Sequence, residues 1–314
     1  MSNKVKADVN RKDMTKLQWT WHLMKQNWIG YVFVLPFMVV FLLFTVIPVV
    51  ATLFLSLTSY NLIQPPKWVG FGNYIQLILN DQYFITAFKN TMIFAIATGP
   101  ASLILSFVVA WFINQLPPKG RALMTLIFYA PAMTSNAYVI FTYFFSGDSY
   151  GFLNAWLMKL GVIDSPVLWF QNEKYIVPFC IAISLWMSFG TGFLAFIAGL
   201  QGVDKAQYEA GAVDGITNRW QELWYITLPN MRDHLLFGSI MAITGSFGYG
   251  AVVTTMTGGG VSQDYVGYTL SHHLGEYQDV RWEYGYAAAI SLVIFFLCFG
   301  SNILVNKLIK KVGQ

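Results

Sequence analysis

Six stretches of this sequence contain no Asp, Glu, Lys, Arg or His: roughly Gly30–Ser59, Asn90–Leu116, Ala122–Gly147, Tyr175–Val203, Leu235–Met256 and Tyr284–Asn306. Each reaches the ~20 residues that a helix needs to cross the hydrocarbon core of a bilayer. Lipid offers the backbone no hydrogen-bond partners, so chain at that depth must be helical. Pro36, Pro48, Pro100, Pro131 and Pro178 fall within or near these runs, where membrane helices tolerate a kink. Only 11% of the 314 residues are charged and 56% are hydrophobic, against about 25% charged in soluble domains. A water-soluble globule is excluded. The expected fold is an all-α integral membrane protein with six transmembrane helices.

Basic residues orient it. With the N-terminus inside, the cytoplasmic segments hold 14 of the 19 Lys and Arg, including Lys4, Lys6, Arg11, Lys12, Lys119, Arg121, Lys205, Arg219, Arg232, Lys307, Lys310 and Lys311; only Lys67, Lys89, Lys159, Lys174 and Arg281 lie outside. This bias places both termini in the cytoplasm. The first run is too long, and its leader too extended, for a cleaved signal peptide. Residues 1–29 read as a cytoplasmic leader, residues 30–307 as the six-helix domain and residues 308–314 as a cytoplasmic tail. Trp19, Trp21, His22, Lys25 and Trp28 suit either an interfacial helix or plain belt anchors. The turn "QLPPKGR" makes the second and third spans antiparallel neighbours.

Between the fourth and fifth spans lies a charged cytoplasmic loop, residues 203–233. Leu200–Gly215 reads as a helix capped by Asp204, with Gly215 as the exit. A second helix starts at Thr217 or Asn218, and Pro229 is expected to stop it. Ala206, Ala210, Gly211 and Ala212 would let another surface approach closely. Glu209 and Asp214 sit five apart, off a common face, so they are no acid/base pair. Trp220, Leu223 and Trp224 are expected to face back onto the membrane domain. A solvated loop and a docking element fit these residues equally well.

"EAGAVDG" followed by "ITLP" resembles the EAA loop of binding-protein-dependent ABC importer permeases. Glu209, Ala210, Gly215, Ile226, Leu228 and Pro229 match its pattern. Gly211 stands where the pattern has a second Ala, and ten residues instead of nine separate Gly215 from Ile226, which should lengthen the turn before Trp220. "TGGG" at Thr257–Gly260 and "YGYAAAIS" at Tyr284–Ser291 are similar to the carbohydrate-uptake branch, with Val261 where a Pro often follows. The resemblance implies the type I ABC importer permease fold in a bacterial cell membrane. It implies a second permease subunit, two cytoplasmic ATPase subunits that hold the ATP and Mg, and an extracellular sugar-binding protein. The cargo would be a carbohydrate, expected to be an oligosaccharide. Glu209, Ala210, Gly211, Asp214, Gly215, Ile226, Leu228 and Pro229 would form the coupling loop, with Glu209 and Gly215 as contacts to the ATPase groove.

No Gly-x-x-x-x-Gly-Lys-Ser/Thr occurs, so no cofactor or catalytic role is expected of this chain itself. "HHLGE" could set His272 and Glu276 on one helical face, but two ligands do not make a metal site. Cys180 and Cys298 read as small core residues, and Gly190, Gly192 and Gly199 as close-packing positions. Nothing points to a nucleic-acid partner. Polar groups inside the runs, at Asn136, Ser188, Thr191, Thr244, Ser246 and Tyr249, suit sugar hydroxyls and are the candidate substrate pathway, although hydroxyls in membrane helices also bond their own backbone. The alternative function is an ion-coupled secondary transporter, disfavoured because the runs hold no ionisable relay. A membrane enzyme would need a nucleophile–base pair or metal cluster that the sequence lacks.

Overall fold

The computed structural model describes residues 15–134, 137–257 and 265–309. The chain divides into two compact units, residues 1–54 and 55–314. In the first, α1 (Lys16–Gln26) opens on a capping box: the Thr15 N–H donates to Gln18 Oε1 at 3.0 Å and the Gln18 N–H back to Thr15 Oγ1 at 3.4 Å. The Lys25 ammonium lies 5.8 Å over the Trp21 ring. Next come α2 (Trp28–Phe41), a π turn (Leu42–Val46) and α3 (Ile47–Leu55), which together run as one apolar helix of 28 residues. The π turn has a cause. Pro48 has no N–H to donate, and its ring crowds the carbonyl four residues back. That residue is Phe44, at the centre of the wider turn.

The second unit begins with a two-residue antiparallel pair, β1 (Thr58–Ser59) and β2 (Lys67–Trp68), in the register Thr58↔Trp68 and Ser59↔Lys67. This is a small departure from an all-α chain. Next are α4 (Gly72–Ile75), a π turn (Gln76–Asn80) and the 33-residue α5 (Gln82–Asn114), whose first turn is capped by Asp81. Then follow α6 (Pro118–Met133), α7 (Val139–Phe144), α8 (Phe152–Lys159), α9 (Glu173–Met187), α10 (Thr191–Gly202) and α11 (Lys205–Val213). α12 (Arg219–Glu222), a π turn (Leu223–Thr227) and α13 (Leu228–Asn230) lead into α14 (Arg232–Ser246) and α15 (Gly250–Met256). The chain closes with α16 (Leu270–Gly275), a π turn (Glu276–Val280) and α17 (Tyr284–Ile309).

Trp28–Leu55, α5 and α17 are each long and apolar enough to cross a membrane. Two more crossings come as bent pairs: α9 with α10, bent by 44°, and α14 with α15, bent by 45°. The third apolar run is not one continuous helix. α6 has 16 residues, with Pro131 in its last turn, and backbone at Thr134 is extended before α7 begins. Length and composition therefore give five spans among the described residues, where the sequence suggested six.

The core is built by α5, α10 and α14, with Phe107 and Trp111, Phe193 and Phe196, and Leu235 in one buried cluster. Gly238 makes this possible: a β-carbon there would sit 2.1 Å from the Phe196 ring. A β-carbon on Gly192 would stand 3.4 Å from the Gly238 Cα, the close helix approach expected of small residues in membrane helices.

Candidate functional site

The loop between α10 and α14 is ordered by its own side chains. Asp204 Oδ1 accepts the Ala206 N–H at 3.0 Å and starts α11. Beyond the end of α11, Gly215 turns the chain with φ +93°. The Ile216 N–H reaches back to the Gly211 carbonyl at 2.9 Å, and the Gly215 N–H to Ala212 at 3.3 Å, the pairing of a Schellman turn. Asn218 Oδ1 caps α12 by accepting the Trp220 N–H at 3.1 Å, while Gln221 Oε1 accepts the Asn218 N–H at 3.3 Å. α11 is then pinned to the π turn beyond α12. The Tyr208 hydroxyl lies 3.0 Å from Thr227 Oγ1, Asn230 donates to Gln207, and the buried Ile226 sits on Gly211.

This arrangement explains both departures from the EAA pattern. A β-carbon at residue 211 would lie 2.6 Å from Ile226 Cδ1 and 3.2 Å from Ile216 Cδ1, so glycine fits where the pattern has alanine. The additional residue does not lengthen the turn before Trp220. It is absorbed in the π turn Leu223–Thr227, whose centre, Tyr225, lies four residues before Pro229, the same relation as Phe44 and Pro48. Nor does Pro229 stop the helical run, which continues through α13 to Asn230. Leu223 and Leu228 pack against the α5–α10–α14 core. The Trp220 ring lies 5.2 Å from the Trp111 ring but stays 58% exposed, and Trp224 is 65% exposed; the three residues do not all face the membrane domain. Glu209, Ala210, Asp214 and Gly215 are exposed, and the Glu209 carboxylate has no partner among the described residues.

The second feature lies inside the spans. A cavity of about 280 Å³ opens where the bent pairs break, at Ser188–Gly190 between α9 and α10 and beside Tyr249 between α14 and α15. Non-helical backbone at membrane depth is tolerated where it is buried in protein or lines a water-filled cavity. Ser188, Thr191 and Tyr249 line it, joined by Ser102 and Ser106 of α5. Ser188 and Ser102 donate to Leu185 and Gly99 carbonyls of their own helices, at 2.7 and 3.0 Å. The hydroxyls of Ser106, Thr191 and Tyr249 have no partner among the described residues, so they can bond a guest. Ser246 lies off this cavity and donates to the Ile243 carbonyl at 2.7 Å. Thr244 is exposed beside Cys298, whose thiol is 3.8 Å away. Asn136 and the glycines Gly258–Gly260 fall outside the described residues. Ser102 and Ser106 escaped the sequence reading, although their i, i+4 spacing sets both on one helix face.

A third cluster joins α5, α16 and α17. Asp81 Oδ2 accepts from His273 Nε2 at 2.9 Å, from the Tyr286 hydroxyl at 2.8 Å and from Tyr277 at 3.4 Å. Tyr268 links His273 Nδ1, at 3.0 Å, to Glu276, at 2.8 Å, and Glu276 pairs with Arg281. His272 instead meets Thr254 and Thr269, so His272 and Glu276 do not converge. No three metal-ligating side chains converge among the described residues. Sequence gave no sign of the Asp81–His273 pair, whose members are 192 residues apart.

Membrane helices broken at midspan around a cavity that carries several hydroxyls, with a capped helix–turn–helix beyond them, are the architecture of a transport permease. A family model described as a binding-protein-dependent transport system inner membrane component matches residues 90–314, and the chain belongs to that family. It is a non-catalytic permease subunit of an ABC transporter. The probable ABC transporter permease protein YesP of Bacillus subtilis (strain 168) is 35% identical over 226 residues, 71% of this chain and 71% of its own. The arabinooligosaccharides transport system permease protein AraP of the same organism is 29% identical over 282 residues, 88% of this chain and 87% of its own. Its maltodextrin transport system permease protein MdxF is 26% identical over 301 residues, 88% of this chain and 68% of its own. Among solved structures, a chain of a bacterial ABC transporter that imports the acidic polysaccharide alginate superposes with a TM-score of 0.73 at 22% identity, covering 94% of this chain and 99% of that one.

Proposed function

We propose that this chain forms half of the translocation pathway of an ATP-driven oligosaccharide importer. The coupling loop, residues 203–233, seats in a groove of a cytoplasmic ATPase subunit. A second permease subunit supplies the other half of the pathway, and an extracellular sugar-binding protein delivers the cargo. ATP and Mg belong to the ATPase partner. The chain crosses a bacterial cell membrane six times, with α6 and α7 as one interrupted crossing and both termini cytoplasmic. The names of AraP and MdxF support an oligosaccharide cargo, as do the hydroxyls around the cavity.

The observation that carries the reading is the α11 face. Glu209 and Ala210 stand exposed while the other side of the same helix is fixed by Gly211, Tyr208 and Gln207. A helix held rigidly on one side and bare on the other suits a transmission element, because force on it moves the spans as rigid bodies. The test is co-purification of the ATPase with wild type and with Glu209→Ala, alongside uptake by the assembled transporter. Removing a charge-assisted contact worth about 1.5–3 kcal/mol should lower ATPase capture about tenfold or more and abolish uptake, while the sibling permease stays bound. Wild-type capture and uptake by the variant would show that the loop is only a linker.

A further inference from the structure

We infer that the face of the molecule opposite α11 carries a second carbohydrate subsite, built around Trp169 and Gln171. The inference rests on the carbohydrate reading above and names a further contact for the same cargo. A cavity of about 240 Å³ is lined there by Thr142, Ser146, Trp169, Phe170, Gln171 and Thr257, among others. Sugars present C–H faces and hydroxyl edges. Aromatic faces cover the former, and amides and hydroxyls bond the latter.

The site is held in shape in advance. Trp169 is half-buried, and its Nε1–H donates to Asn154 Oδ1 at 3.0 Å. Asn154 is fully buried. Its amide donates to the carbonyls of Ser146 at 3.0 Å, Asp148 at 3.2 Å and Val167 at 3.0 Å, and its oxygen also accepts the Val167 N–H at 3.1 Å. One side chain thus ties together two loop segments and orients the indole. Such fixing reduces the entropy lost when a ligand binds. Gln171 is exposed, and its side-chain amide has no partner among the described residues.

Topology relates this cavity to the central one. Gln171 precedes α9 and α11 follows α10, so with α9 and α10 as one bent span the subsite and the coupling loop lie on opposite membrane faces. α15 joins the two cavities: Tyr249 at one end lines the central one, and Met256 and Thr257 at the other end line this one. At 1.5 Å of rise per residue they are about 10 Å apart. A single sugar ring cannot fill both, whereas an oligosaccharide can. The outer subsite should therefore discriminate by chain length.

The test is equilibrium binding of radiolabelled arabinose and glucose oligomers, disaccharide to hexasaccharide, to the assembled transporter in nanodiscs. For Trp169→Ala the Kd of the hexasaccharide should rise about tenfold, the scale of one lost aromatic contact, while that of the disaccharide stays unchanged. Gln171→Ala, an exposed position on which the fold does not depend, should weaken hexasaccharide binding several-fold, and Trp169→Phe should keep most of the affinity. If Trp169→Ala and Gln171→Ala shift all lengths equally, or none, the subsite is refuted. If the wild type binds no member of either series, the carbohydrate reading itself fails and the subsite with it.

Discussion

Ile226 Cδ1 lies 2.6 Å from the point where a β-carbon on Gly211 would stand. This contact joins the two halves of the coupling loop. Gly211→Ala would gain up to about 1 kcal/mol in helix propensity but push Ile226 and Ile216 off α11. We expect the single change to reduce ATPase capture. Combined with Ile226→Val, which removes the crowding methyl at a cost of about 1 kcal/mol, capture should return toward wild type. A double-mutant cycle on ATPase co-purification measures this coupling; strictly additive effects would show that the contact is incidental.

Gly215 tests the turn separately from the packing. Nothing lies within 4 Å of its missing β-carbon, and its φ is +93°, so a side chain there meets backbone strain and no clash. Gly215→Val should cost about 1 kcal/mol or more locally and misaim α12. Gly215→Asn, a residue that tolerates the left-handed region, should retain most uptake. Equal uptake by the two variants would contradict a strained turn.

What was legible in the sequence was what is local. Asp204 and Asn218 announce helix starts and Gly215 a helix end, because each acts on neighbours within a turn or two of chain. The two Pro-linked π turns were not legible, since the same proline chemistry also breaks helices. Gly211 looked like a weakened alanine until Ile226, 15 residues on, was placed against it. The cavity required knowing which faces of α5, α10 and the two breaks converge. Ser102 and Ser106 join it while Thr244 and Ser246, close to Tyr249 in sequence, turn away.

The cavity hydroxyls give a graded expectation. Tyr249→Phe and Ser106→Ala each remove a hydroxyl with no partner among the described residues, so each should raise the KM for uptake about five- to tenfold, near 1 kcal/mol per hydrogen bond. Ser246→Ala removes a hydroxyl already bound to the Ile243 carbonyl and lying off the cavity, and should leave KM within twofold. Equal effects at Ser246 and Tyr249 would place the pathway elsewhere.

Orientation is accessible to labelling. In a background without Cys180 and Cys298, a cysteine at exposed Lys159 should react with a membrane-impermeant thiol reagent in intact cells, and one at exposed Lys119 only after lysis. The reverse pattern would invert the topology.

The Asp81–His273 cluster makes stability depend on pH. Burial is the largest influence on His273 and holds it below its usual 6.5, outweighing the pull of Asp81 toward the charged form. Burial lowers His272 likewise. For Asp81, burial works to raise the carboxyl, but hydrogen bonds from Tyr286, the Phe84 N–H and His273 bring it below its usual 3.8. Neutral His273 gives its Nε2–H to Asp81 and leaves Nδ1 as an acceptor, with the single Tyr268 proton shared between Nδ1 and Glu276. Arg281 and Tyr277 complete the charged and titratable surroundings. In each case the unfolded chain binds protons more readily than the folded one, so stability rises with pH. Thermal stability of the purified protein should be flat between about pH 6.5 and pH 9. It should fall as pH drops below that value, where the unfolded histidines charge first, and fall again below 3.8 as Asp81 is titrated. His273→Gln removes one of the two titrating rings, so its melting temperature, lower at neutral pH, should change less between pH 7 and pH 5 than that of wild type. An equal fall in the variant would mean that the buried ring titrates as in the unfolded chain, and a steeper one that the fold favours its charged form; either outcome contradicts the burial argument.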